Sequence, residues 1–114
     1  MAGLKNKKIL GTTMIEIRTT CKDEKEAEKI SEILLKKRLI ACANYFPVKS
    51  KYYWKGKIVK ESETFLIIKT KNQNKDKIIK EIKKNHSYEL PVITVHDKVK
   101  TTKDVDEWVL EATS

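Results

Sequence analysis

The stretch Ala41–Thr70, ACANYFPVKSKYYWKGKIVKESETFLIIKT, reads as one β-hairpin that is too long for the domain carrying it. With Trp54-Lys55-Gly56-Lys57 as the turn, each arm holds about 14 residues, and an unbroken arm at about 3.3 Å per residue spans roughly 45 Å. Typical strands have about 5–6 residues. A compact chain of this length should have a radius of gyration of about 13 Å, hence a diameter of roughly 35 Å. The tip is therefore expected to overhang its own subunit. A projecting ribbon carrying Tyr52, Tyr53 and Trp54 calls for another surface to lie on.

At 114 residues the chain suits one domain with one two-layer core. Residues 1–13 read as a flexible N-terminal extension and residues 14–114 as the domain. No run approaches the 18 apolar residues or so of a membrane helix, and the opening segment lacks a secretory apolar core. Two cysteines, Cys21 and Cys42, are too few for a disulfide framework and match no C-x-x-C pattern, so reduced thiols and a cytoplasmic setting are expected. The formal charge of +9 comes mostly from lysine. Arg18 and Arg38 are the only arginines, which argues against nucleic-acid recognition.

Met14–Thr20 alternates apolar and polar residues, a half-buried first strand. Asp23 followed by Glu26 marks a capped helix start, with Ala27, Ile30, Ile33 and Leu34 on one face through to about Arg38. Pro47 interrupts the first hairpin arm, and a bulge or bend is expected near Pro47–Lys49. Phe65-Leu66-Ile67-Ile68 suits a central buried strand. Asn72 or Asn74 caps a second helix with Ile78, Ile79 and Ile82 facing inward and Asn85 as its stop. Pro91 opens a fourth strand over Val92–Val99. Thr101 and Asp104 begin a short last helix carrying Val105, Trp108 and Val109. The order β-α-β-β-α-β plus a C-terminal helix predicts an α+β, ferredoxin-like fold.

Few residues could carry chemistry. His96 and Asp97 are adjacent in a strand and so point to opposite faces. His86 lies with Tyr88 and Glu89 in a loop beyond a helix end, where it either caps the helix or contacts a metal or small anion shared with a neighbouring chain. Cys42 reads as a small core residue or as a soft metal ligand. One His and one Cys do not complete a metal site, so ligands from another chain or water would be needed. Tyr52, Tyr53 and Trp54 among lysines suggest interface anchors, with a single-strand nucleic-acid platform as the lesser alternative. No Walker A or G-x-G-x-x-G sequence is present.

Arg38-Leu39-Ile40-Ala41-Cys42-Ala43-Asn44, Ser50–Ile58, Glu63 ahead of Lys69-Thr70, His86-Ser87-Tyr88-Glu89-Leu90-Pro91 and Trp108 together resemble the CutA-type divalent-cation tolerance family. The likeness runs from Met14 almost to the C-terminus. It implies a ferredoxin-like subunit in a tight homotrimer whose hairpins pack on neighbours, and a non-enzymatic protein binding copper or other divalent cations with no obligatory cofactor. It also implies that Cys42, Tyr52, Trp54, Glu63, Lys69, His86, Tyr88 and Glu89 line an inter-subunit cleft. His86, Cys42 and Glu89 are its metal candidates, and Tyr53, Trp54 and Trp108 its interface residues. A PII-like scaffold binding a protein partner is the alternative. Ser87 stands where the family has proline, and Val92 where it often has glutamate, which removes a hard ligand.

Overall fold

The hairpin is the longest element of the protein. The computed structural model describes Leu10–Gly11 and residues 13–114. In chain order these form β1 (Leu10–Gly11), β2 (Met14–Cys21), α1 (Glu24–Lys36), β3 (Cys42–Trp54), β4 (Lys57–Lys71), a 3-10 turn (Asn72–Asn74), α2 (Lys75–Asn85), β5 (Ile93–His96), β6 (Thr101–Thr102) and α3 (Lys103–Ala112). Of the expected N-terminal extension, residues 1–9 and 12 lie outside the described residues. Leu10–Gly11 pair with β6.

β3 and β4 meet in a two-residue turn in which Lys55 (φ 51°) and Gly56 (φ 78°) both adopt left-handed backbone. Two positive φ values match the right-handed twist of the flanking strands, and glycine makes one of them free of strain. The main sheet has the order β3-β4-β2-β5, all antiparallel. β2 stops at Cys21, opposite Thr64. Beyond that point Lys57–Glu63 of β4 pair with β3 alone, an overhang of about 24 Å at strand rise. The result is a radius of gyration of 16.1 Å and extents of 57 × 25 × 21 Å, well above the compact expectation.

One face of the sheet carries the core. Ile15 and Ile17 of β2 and Leu66 and Ile68 of β4 meet Ala27, Ile30 and Leu34 of α1 and Ile78 and Ile82 of α2, so both helices cover the same face. α1 starts as expected, with Asp23 Oδ1 accepting from the Glu26 N–H at 2.9 Å. It ends in a Schellman arrangement: Arg38 takes φ 56°, its N–H donates to Leu35 O, and the Leu39 N–H donates to Leu34 O. Thr70 Oγ1 and Asn74 Nδ2 then donate to Leu39 O, tying this corner to the end of β4. Asn74 occupies the α2 N-cap position, but its side chain is spent on Leu39 and makes no cap bond.

Two local expectations are corrected. Pro47 causes no bulge: the β3–β4 register runs one to one from Cys42↔Lys69 to Trp54↔Lys57. β3 is an edge strand, and there a proline nitrogen can face the open side without breaking a ladder bond. The fourth strand is shorter than Val92–Val99, because Lys98 turns into left-handed backbone (φ 54°) and pairing ends at His96.

α3 is fastened by a buried carboxylate. Asp106 accepts from the Met14 N–H at 2.9 Å and from the Thr13 N–H at 3.1 and 3.2 Å, satisfying two backbone donors at the start of β2. Asp106→Ala leaves them without partners and should cost about 1–3 kcal/mol. A urea unfolding midpoint equal to that of the unsubstituted chain would show that α3 is not fastened this way.

Candidate functional site

The loop after α2 returns the chain to the end of β2, and His86 is the residue that docks it. Its Nε2 lies 2.8 Å from the Thr20 carbonyl oxygen. A carbonyl can only accept, so Nε2 carries the proton. Nδ1 accepts the Tyr88 N–H at 3.1 Å, which makes the ring the neutral Nε2–H tautomer. Glu26, in the first turn of α1, supplies the other half of the latch. Its Oε1 accepts the Lys22 N–H and its Oε2 the Ser87 N–H, both at 2.9 Å. Burial works against its charge, yet the Lys22 and Ser87 N–H donors hold the carboxyl below its usual value. Cys21 completes the cluster. Among the described residues, Cys21, Glu26 and His86 form the one group of three or more His, Cys, Asp or Glu donors, all within 4.8 Å of one another.

Next to this latch lies a more open cleft at the root of the overhang. Tyr88 donates its hydroxyl to Glu63 Oε2 at 2.5 Å, and Glu63 is buried. Tyr52 lies diagonal to Glu61 on the ladder and donates to its Oε2 at 2.7 Å. Hydrogen bonding to Glu61, then partial burial and the charges of Glu61 and Glu63, push the Tyr52 hydroxyl up to about 12. Burial, then the bond to Glu63, pushes the Tyr88 phenol up as well. Lys55 Nζ, 3.9 Å from Glu89 Oε2, links hairpin tip to loop across an exposed gap and lies 5.7 Å from the Trp54 ring centroid. On the α2 side the loop borders a groove of about 490 Å3 that includes Ile79, Lys83, Tyr88, Leu90 and Ile93.

The residues singled out from the sequence are thus divided. His86, Tyr88, Glu63 and Tyr52 gather at the root of the hairpin. Cys42 and Lys69 face each other near the other end of the β3–β4 ladder. The Thr20 carbonyl that His86 touches belongs to the residue opposite Phe65, four positions from Lys69 and so about 13 Å away along the strand. Cys42 Sγ instead lies 3.6 Å from Asn44 Oδ1. Within one chain Cys42, His86 and Glu89 therefore do not converge. Tyr53 is 76% exposed near the tip, and Trp108 is half-exposed on α3. Sequence reasoning missed Cys21 and assigned Glu26 only to helix capping. Their shared neighbour comes from a segment some 60 positions away, and no local spacing announces it.

The cluster does not present an activated nucleophile. Burial, then the charges of Glu26, Asp23 and Glu63, push the Cys21 thiol up to about 12, so it stays protonated and unreactive at neutral pH.

An antiparallel four-stranded α+β subunit with two helices on one face and an overhanging ribbon defines the structural class. The family described as CutA1 divalent ion tolerance protein matches residues 15–112. The divalent-cation tolerance protein CutA of Pyrococcus horikoshii is 38% identical over 100 residues, covering 88% of this chain and 98% of that protein. CutA of Thermotoga maritima is 36% identical over 99 residues, covering 87% and 98%. The solved structure of the periplasmic divalent cation tolerance protein CutA from Archaeoglobus fulgidus superposes with a TM-score of 0.86 at 35% identity, covering 89% of this chain and 99% of that one. The chain belongs to the CutA1 divalent ion tolerance family.

The two thiols should behave differently. In Cys42→Ser the remaining Cys21 should resist a thiol reagent at pH 8 in the folded protein and react fully in denaturant. Rapid labelling without unfolding would contradict the burial described.

Proposed function

We propose that this protein acts in divalent-cation tolerance as a non-catalytic homotrimer of ferredoxin-like subunits. It would hold a copper-type cation or a small ligand in clefts between copies. The observation that carries this reading is the overhang. Lys57–Glu63 pair on one side only, and the tip exposes Tyr53 at 76% and Ile58 at 64%. An edge of that length with apolar side chains is an aggregation hazard unless another chain covers it. Copies of this chain are the simplest cover, and Trp54, Tyr53 and Trp108 are the proposed contacts.

A trimer also supplies what one chain lacks. Glu63, His86 and Tyr88 stand at the hairpin root of one copy, Glu89 reaches towards Lys55 at the tip, and Cys42, Lys69 and Trp54 of a neighbour are proposed to close the cleft. In the cleft, one chain offers two carboxylates, Glu61 and Glu63, each already accepting from a tyrosine hydroxyl. Such oxygen donors suit a hard or borderline cation better than a soft one. The setting proposed is cytoplasmic, and no described helix is long and apolar enough to cross a membrane.

Sedimentation equilibrium should give about three times the chain mass of 13.3 kDa, and the double variant Tyr53→Ser, Ile58→Ser should shift the distribution towards monomer. A monomer for the unsubstituted chain sinks the assembly. Copper titration should show Glu63→Gln weakened by about tenfold, the lower end of what loss of a metal-supporting group costs; superimposable isotherms would remove Glu63 from the site.

A further inference from the structure

The outer side of the helix layer carries positive charge that the chain's own carboxylates do not balance. Both helices bury one side against the sheet, through Ala27, Ile30 and Leu34 on α1 and Ile78 and Ile82 on α2. Opposite those residues α1 presents Lys25, Lys29 and Lys36, and α2 presents Lys77, Lys80 and Lys84, all exposed. Spacings of i, i+4, i+11 and i, i+3, i+7 set each group along one line of its helix. Packed helices lie about 8–10 Å apart. Neighbouring lysines are thus separated by about one Debye length at physiological salt, close enough to act together.

The acids of these helices are engaged elsewhere. Glu28 accepts from the Tyr45 hydroxyl of β3 at 3.5 Å, and the charges of Glu24 and Glu32 act on the same phenol, so the acidic side of α1 is turned towards the hairpin strand. Glu32 also pairs with Lys36 at 3.3 Å, and Glu81 with Lys37 at 2.7 Å. Lys84 acts on Glu81 only at longer range. Asp76 stands in the first turn of α2, where a negative charge complements the helix dipole. Among the described residues, Lys25, Lys29, Lys77, Lys80 and Lys84 make no direct ion pair.

The chemistry of the patch selects its partner. Neither helix contains an arginine or an aromatic residue. Single-stranded nucleic acid is held largely by stacking on aromatic rings, and the rigid fork of arginine is what reads fixed phosphates and bases. Ammonium groups on flexible stems instead suit a fluid array of phosphates and carboxylates, which is what an anionic bilayer surface offers. The contacts proposed for assembly, Tyr53, Trp54 and Trp108, lie on the hairpin and α3 and do not claim this face. We propose that the outer face of α1 and α2 docks the protein on membranes rich in anionic phospholipid, by electrostatic attraction and without insertion. The inference depends on neither the trimer nor the cation cleft. In an assembly of several copies each brings its own face, and attachment becomes multivalent.

Vesicle co-sedimentation tests it. The full chain should pellet with phosphatidylcholine vesicles containing about 30% phosphatidylserine at about 0.1 M salt, stay in the supernatant with phosphatidylcholine alone, and be released at about 0.5 M salt. Each lysine near such a surface strengthens binding roughly fivefold. Lys77→Gln, Lys80→Gln and Lys84→Gln together should therefore weaken it by about a hundredfold, and Lys25→Gln with Lys29→Gln by about twentyfold. Removing three exposed charges away from the helices, with Lys49→Gln, Lys60→Gln and Lys100→Gln, should weaken it by less than about threefold. Circular dichroism checks that each variant is folded, and should the α2 triple variant unfold, the α1 pair decides alone. No pelleting with the anionic vesicles, an equal loss in the two triple variants, or displacement from the vesicles by an oligonucleotide at equal phosphate concentration overturns the proposal.

Discussion

Everything in this protein hangs on the pairing of β3 with β4. The 15-residue β4 is bonded along its length by β3, whereas the 8-residue β2 covers only its second half. The paired half can bury one face under helices, so it carries Leu66, Ile68 and Thr70 inward. The half paired with β3 alone has no helix above it, and Lys57–Ser62 are mostly exposed. A single strand thus serves as core and as projection. The change occurs where β2 ends, at Cys21 opposite Thr64.

Near the same point lie three buried polar residues, Glu26, Glu63 and Thr64. Ending β2 leaves a carbonyl and nearby N–H groups that need partners away from water. His86 and Glu26 supply them, one from the end of α2 and the other from the start of α1. The latch is therefore a consequence of strand length as much as of chemistry. It also places Tyr88 against Glu63, the first β4 residue beyond the end of β2. Core closure, loop position and the floor of the cleft are one connected arrangement, and a change in any of Glu26, His86 or Tyr88 is felt by the others.

The corrections follow the same physics. Pro47 was expected to bend its strand, which assumes that its nitrogen owes the ladder a bond. On an edge strand it owes none. The fourth strand was read as Val92–Val99, opened by Pro91, yet pairing ends at His96 ahead of the left-handed Lys98. Asn72 or Asn74 was expected to cap α2; Asn74 holds the cap position, and its side chain satisfies the Leu39 carbonyl instead.

The sequence by itself determined the elements and the overhang. Period-two and helical patterns, the Asp23 cap and the Lys55-Gly56 turn are local signals, and local signals survive because backbone geometry depends on near neighbours. The α+β class and membership of the CutA1 family were legible for the same reason, being carried by ordered stretches such as Ser50–Ile58 and His86–Pro91. The grouping at the site was legible only in part. His86, Tyr88, Glu63 and Tyr52 could be named, but Cys21 looked like the end of a strand and Glu26 like a capping residue. Only the tertiary structure brought them to His86, because their meeting depends on where β2 stops, how α1 begins and where α2 returns the chain. No spacing along one segment encodes three such ends arriving at one point.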